Sequence, residues 1–236
     1  MELPDVDAGT SVYLKHTDHF AGAVEGWSDA EIISQEQRQA IGEAGSIVAT
    51  SAASLQGSLT AREAAERQAT KLRARFTIRD IILDKRIMGA SDALLNGPAM
   101  RDRAHPVYRT VFQGGTAGDI TDMRTREEPE EAADMRDRFA SVPDFDGKTR
   151  AKMDLDEALS KSFNARDDLD NAESTERKAG DAELQARLAV RAAIEKAYGI
   201  LRAAFPGQRK LVESFFYRAA RRSKSPKGGG AGPQTP

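Results

Sequence analysis

Apolar residues recur at intervals of three and four along two long stretches of the chain, residues 28–96 and 149–205. This spacing places side chains on one face of a helix, where they can be buried together. No pair of comparable alternating segments occurs that would favour a sheet. The pattern therefore predicts an all-α protein, an elongated antiparallel helical bundle of about four to six helices.

The clearest predicted helix covers residues 60–96, where the apolar stripe is wide. Ile78, Ile81, Ile82, Met88 and Leu95 extend it beyond a narrow coiled-coil seam, and the segment 76–95 should lie deepest in the bundle. Two glycines three residues apart, in an earlier helix, would allow close approach of a second helix, although exposed glycines would give the same spacing. The candidate helix–helix interface positions are Gly42, Gly45, Leu72, Phe76, Leu83 and Ile87.

Local start and stop signals divide the first stretch into two predicted helices. Residues 28–31 read Ser-Asp-Ala-Glu, a capping box that predicts a helix start at Ser28. Gly57 is suited to end that helix, and residues 60–63 form a second capping box. Asn96-Gly97-Pro98 then ends the second helix.

The remaining segments are less regular. Residues 97–127 predict a non-helical crossover, and residues 128–140 a short helix. The second long stretch is nearly all polar over residues 171–181, where Gly180 favours a break or kink. After Pro206-Gly207 a short amphipathic helix is expected.

These elements predict three regions in chain order. They are an irregular N-terminal arm (1–27), a helical bundle (28–222) and a disordered tail (223–236). Within the bundle, residues 28–140 and 149–222 would be two similar halves, because a phrase at 108–114 resembles one at 201–207. Ordinary construction from antiparallel helix pairs would give a similar pattern, so both explanations stay open.

Composition restricts the chemistry. The net charge of -2 gives no overall attraction to nucleic acid or an anionic membrane. With no cysteine, the chain has no disulfide, thiolate nucleophile or cysteine zinc site. Because the sequence starts with acidic residues, no secretory signal is predicted. No apolar run reaches the ~20 residues that a membrane-spanning helix needs. We expect a soluble cytoplasmic protein, and the Ala, Arg, Asp and Gly bias suggests a bacterial gene.

Known catalytic and metal patterns do not match. The glycine-rich segment 113–118 lacks the strand and the Gly-Lys-Ser/Thr ending of a P-loop. His16 and His19 are close in sequence, but only His105 remains as a third histidine ligand. The acidic segment 144–157 fails the calcium-loop spacing, and no Glu-x-x-His pair of a di-iron bundle occurs. The sequence predicts no catalytic residue, no cofactor and no metal.

One concentrated basic run follows Phe215-Phe216-Tyr217. It offers contacts to phosphate on nucleic acid or acidic lipid, although cations also suit a helix C-terminus. Its members are Arg218, Arg221, Arg222, Lys224 and Lys227. The long helices favour a non-catalytic structural or protein-interaction protein that self-assembles or binds a protein partner. An adaptor using the basic run is the alternative, and an enzyme or small-ligand binder is the third.

Overall fold

The computed structural model describes residues 2–218, which form seven helices and no strand. This confirms the predicted all-α class. The helices are α1 (Thr10–Ser28), α2 (Gln35–Asn96), α3 (Pro106–Val111), α4 (Ala117–Thr121), α5 (Glu128–Ser141), α6 (Lys148–Ala204) and α7 (Arg209–Ser214). No helix in the described part of the chain has the length and apolar character needed to cross a bilayer. The predicted disordered tail, 223–236, lies outside the described residues.

The chain divides into two compact units. Unit 1 combines Met1–Gly57 with Leu184–Pro236, and unit 2 is Ser58–Glu183. The helices α2 and α6 each contribute a segment to both units. Each unit therefore combines parts of both long helices, whereas the predicted halves followed chain order.

Helix α1 belongs to the core of unit 1. Tyr13 and Phe20 are buried in one cluster with Ile41, Val48 and Leu201 from the long helices. The predicted irregular arm is therefore wrong over Thr10–Ser28. Gly22 and Gly26 lie in this helix with open space around them. Burial of the aromatic face outweighs their low helix propensity.

The capping box of α2 lies six residues later than predicted. Ser34 N donates to Gln37 Oε1 at 2.9 Å, and Gln37 N donates to Ser34 Oγ at 3.2 Å. These reciprocal bonds satisfy two backbone donors at the start of α2. Ser28 instead ends α1, where its hydroxyl donates to the Val24 carbonyl at 2.7 Å.

Neither long helix breaks at the glycine where a break was predicted. Helix α2 continues through Gly57 and Thr60, and α6 continues through Gly180. Buried side chains recur every seven residues on both helices, which keeps one face against a neighbouring helix. On α2 they include Ile41, Val48, Leu55, Ala69, Phe76 and Leu83; on α6 they are Ala158, Ala165, Ala172, Ala186 and Ala193.

Within unit 2, α2 and α6 run antiparallel and are joined by ion pairs. Residue numbers rise on α2 as they fall on α6. The pairs are Arg62–Glu183 (2.7 Å), Arg73–Glu173 (3.2 Å), Arg75–Asp168 (3.1 Å) and Arg86–Asp154 (3.0 Å). Their order fixes which residues of the two helices face each other.

The predicted non-helical crossover, 97–127, is wrong because it contains α3 and α4. Tyr108 on α3 is buried, and its hydroxyl lies 2.9 Å from Ser91 Oγ of α2. Helix α4 starts with a capping box made by Thr116 and Asp119. The short helix predicted at 128–140 is confirmed as α5, which packs on α3 and α4 through Met135 and Phe139 among others.

Candidate functional sites in the second unit

Three carboxylates meet inside unit 2. Asp80 and Asp84 lie one turn apart on α2, and Glu128 is the first residue of α5. One oxygen atom from each lies within 4.8 Å of the others. We call Asp80, Asp84 and Glu128 the carboxylate cluster. Two of its members come from one face of a helix, while the third arrives from a distant part of the sequence.

Within the cluster Glu128 is shielded from water, and no cationic side chain among the described residues pairs with the cluster. Glu128 is only 1% exposed, and the two aspartates are partly buried. One oxygen of each carboxylate is buried without a hydrogen-bond partner in the described part of the chain: Asp80 Oδ1, Asp84 Oδ1 and Glu128 Oε1. None of the ion pairs among residues 2–218 includes a member of the cluster.

Crowding of negative charge changes the acidity of this site. Burial, followed by the charges of Asp84 and Asp80, raises the pKa of Glu128 to about 9. Burial also raises the pKa of Asp84; a hydrogen bond with Glu128 opposes this shift, and the charges of Asp80 and the exposed Asp122 add to it. Three ionised carboxylates cannot stay this close in a buried site without compensation, so the cluster must hold a proton or a cation.

A second feature of unit 2 is an apolar stripe on α2 that faces away from the core. Ile78, Ile81 and Met88 are 56%, 43% and 41% exposed. The expectation that the stripe widens is wrong for these three residues, because Phe76, Leu83 and Ile87 occupy the core side of the helix. Ile82 and Leu95, which were expected to widen it too, are partly buried against the core. Each of the three exposed residues lies roughly opposite that side at 3.6 residues per turn.

The exposed stripe extends into a regular series. Its steps alternate between three and four residues, the spacing of a coiled-coil seam. We call this series the outer face of α2: Arg67, Lys71, Ala74, Ile78, Ile81, Lys85, Met88 and Asp92, all of them exposed. In contrast to Arg73 and Arg75 nearby, Arg67 and Lys71 form no ion pair with another described residue.

The interface positions chosen from the sequence are distributed over both units. Leu83 and Ile87 are fully buried in unit 2, and Phe76 packs there with the partly buried Leu72. Gly45 lies in unit 1, where a Cβ atom would come within 3.1 Å of Val24 on α1, whereas Gly42 has open space around it.

The basic run is described only at its first residue. Arg218 forms an ion pair with Glu213, which also pairs with Arg209 at 2.7 Å. Because Arg218 already has this partner, its charge is partly neutralised. The other four members, Arg221, Arg222, Lys224 and Lys227, lie outside the described residues.

The histidines are built into local packing. His16 is buried edge-on to Tyr217, and this burial lowers its pKa. His19 Nε2 lies 3.2 Å from the Ser214 carbonyl oxygen and borders two open surface cavities of about 550 and 590 Å³ in unit 1. His105 caps α3 by accepting from Val107 N. These contacts hold segments of the fold together.

The carboxylate cluster was not predicted from the sequence. The spacing of Asp80 and Asp84 was a usable signal, since residues four apart share one side of a helix. Nothing local to Glu128 indicates its position beside them, because α5 reaches α2 only through tertiary packing. No protein-family profile, curated protein or solved structure matches this chain.

Proposed function

We propose that this chain is a non-catalytic helical interaction protein that pairs with a second copy of itself through the outer face of α2. The observation that carries the proposal is that the exposed residues Ile78, Ile81 and Met88 recur at steps of three and seven residues on α2. Apolar residues at this spacing form seams between helices, and burying them removes their surface from water.

The charges on the outer face favour an antiparallel partner. In a parallel pair, Lys71, Lys85 and Asp92 would each face the same residue of the second copy, placing like charges together. An antiparallel pair centred between Ile78 and Ile81 separates those charges. It sets Ile78 against Ile81 of the second copy and places Ala74 beside the long side chain of Lys85.

The ends of the outer face then become complementary. In this antiparallel register Arg67 lies opposite Asp92 of the second copy, and the same pair forms again at the other end. The seam from position 67 to position 92 is roughly 38 Å long at 1.5 Å per residue. Its isoleucines lie at the centre, and its two Arg–Asp pairs lie at the rims.

Sedimentation velocity and light scattering of the full chain test this proposal. We expect a dimer with about twice the 25.6 kDa mass of the chain. Ile81→Glu places a charge in the seam, so it should raise the dissociation constant at least tenfold. Met153→Glu is the matched control, because Met153 on α6 is 66% exposed but lies outside the outer face. A monomeric wild-type protein would contradict the proposal, as would equal effects of the two substitutions.

Charge exchange tests the antiparallel register. Arg67→Asp or Asp92→Arg alone should weaken the dimer, because each places like charges opposite each other. The double variant restores opposite charges at both ends and should recover most of the wild-type affinity. If the double variant is weaker than both single variants, the register is wrong.

A further inference from the structure

We propose that the carboxylate cluster of Asp80, Asp84 and Glu128 binds one hard divalent cation of the size of Ca²⁺ or Mn²⁺. This site is separate from pairing through the outer face, and it adds a ligand to a protein for which the sequence predicted none. All three donors are carboxylate oxygens, the ligand type that such cations prefer.

The position of Glu128 is the independent observation that points to a ligand. A carboxylate that is 99% buried normally has a cationic or hydrogen-bonding partner. Glu128 Oε1 has no such partner among the described residues, and one oxygen of each neighbouring aspartate also lacks one. A cation held by the three carboxylates would give each of them an oppositely charged partner.

The spacing of the oxygens suits a single ion. Two ligands of one ion are separated by at most twice the metal–oxygen distance. For Ca²⁺ this limit is about 4.6–5.2 Å, whereas for Mg²⁺ it is about 4.2 Å. The cluster oxygens all lie within 4.8 Å of one another, so a single ion of the size of Ca²⁺ can contact all three. Mg²⁺ is less suited to a site built from three carboxylates because it gives up its water ligands reluctantly.

The surroundings leave room for the remaining ligands. Asp80 and Asp84 are only partly buried, so water can reach the open side of the ion. The exposed Asp122, at the end of α4, adds negative charge near Asp84.

Calorimetric titration of the EDTA-stripped full chain with Ca²⁺, Mn²⁺ and Mg²⁺ tests the site. We expect one ion per chain, with Ca²⁺ or Mn²⁺ bound more tightly than Mg²⁺. Asp84→Asn and Glu128→Gln should each weaken binding at least tenfold. Glu130→Gln is the control, since Glu130 is an exposed carboxylate in the same first turn of α5 and should stay within twofold of wild type.

Two results would overturn the proposal: no saturable binding to wild type, or equal binding by Glu128→Gln and wild type. A clear preference for Mg²⁺ would overturn the assigned ion size. Electron paramagnetic resonance of Mn²⁺ needs only the wild-type protein, so it tests the site even when the variants fail to fold. Ca²⁺ should release the single bound Mn²⁺, and Mn²⁺ that Ca²⁺ cannot displace would show that the two ions do not share a site.

Discussion

At the scale of single residues, the least expected feature is the burial of Glu128 next to two aspartates. Glutamate is almost never fully buried unless it is paired. Here its neighbours on α2 carry the same charge, so folding brings together groups that repel each other when ionised. Such an arrangement costs stability without a compensating proton or cation, and this cost can be measured.

In metal-free buffer, the free energy of unfolding should fall as pH rises from about 5 to 9. The pKa of Glu128 is about 9 in the folded chain, above its ordinary value, so in this range the folded state holds more protons than the unfolded state. Rising pH therefore favours unfolding. Glu128→Gln removes this titration and should flatten the dependence in urea unfolding with EDTA at pH 5, 7 and 9. If Glu130→Gln flattens it equally, the slope does not come from the cluster.

At the scale of helices, the position of a charged side chain along α2 decides how much its ion pair contributes to the stability of the fold. Arg62 lies seven residues after the buried Leu55, at a point where the buried series would place an apolar side chain. Its partner Glu183 on α6 is only 2% exposed. A charged pair in the seam between two helices stabilises one register of the helices, since any other register would separate the two charges.

Arg62→Ala should therefore destabilise the protein by about 1–3 kcal/mol, because the buried Glu183 loses its guanidinium. Part of that cost is screened, since Arg62 itself is half-exposed. Arg73→Ala is the comparison on the same helix. Its partner Glu173 is more exposed, so the expected loss is under about 1 kcal/mol. Urea unfolding measures both, and equal losses would contradict a special role for the buried pair.

The start of α2 gives a second prediction at this scale. Ser34→Ala removes the side chain that accepts from Gln37 N and should cost about 1 kcal/mol. Ser28→Ala removes only a bond within the last turn of α1 and should cost less. Thermal unfolding compares the two, and the reverse order would place the working capping box at Ser28.

At the scale of the whole molecule, the proposed dimer gives the outer face of α2 a partner. The chain has no cysteine, so single cysteines can report on the pairing without interference. In the antiparallel register Lys71 lies opposite Met88 of the second copy. In a parallel pair each residue would instead lie opposite itself.

A mixture of Lys71→Cys and Met88→Cys chains should therefore form a disulfide under mild oxidation, while each variant alone should form little. A disulfide needs Cβ atoms about 3.5–4.5 Å apart, which only facing positions provide. Non-reducing electrophoresis measures the product. Strong cross-linking of Lys71→Cys alone would indicate a parallel pair.

The sequence by itself determined the helical class and the end of α2. The helix of residues 128–140 was also predictable, because acidic residues with a proline in the first turn favour that start. The seven-residue spacing of Val48, Leu55 and Phe76 is also present in the sequence. Its meaning was missed because Gly57 and a capping box at Thr60 suggested a break. Local signals of about 1 kcal/mol lose to the burial of a continuous seam.

Only the tertiary structure decided which apolar residues are buried and which carboxylates meet. Ile81 and Leu83 both fit a wide helical stripe, and only packing places one outside and the other in the core. Glu128 meets Asp84 across 44 positions of sequence because α5 packs in the same unit as residues 58–96 of α2. Periodicity records the faces of one helix, whereas contacts between helices depend on the path of the whole chain.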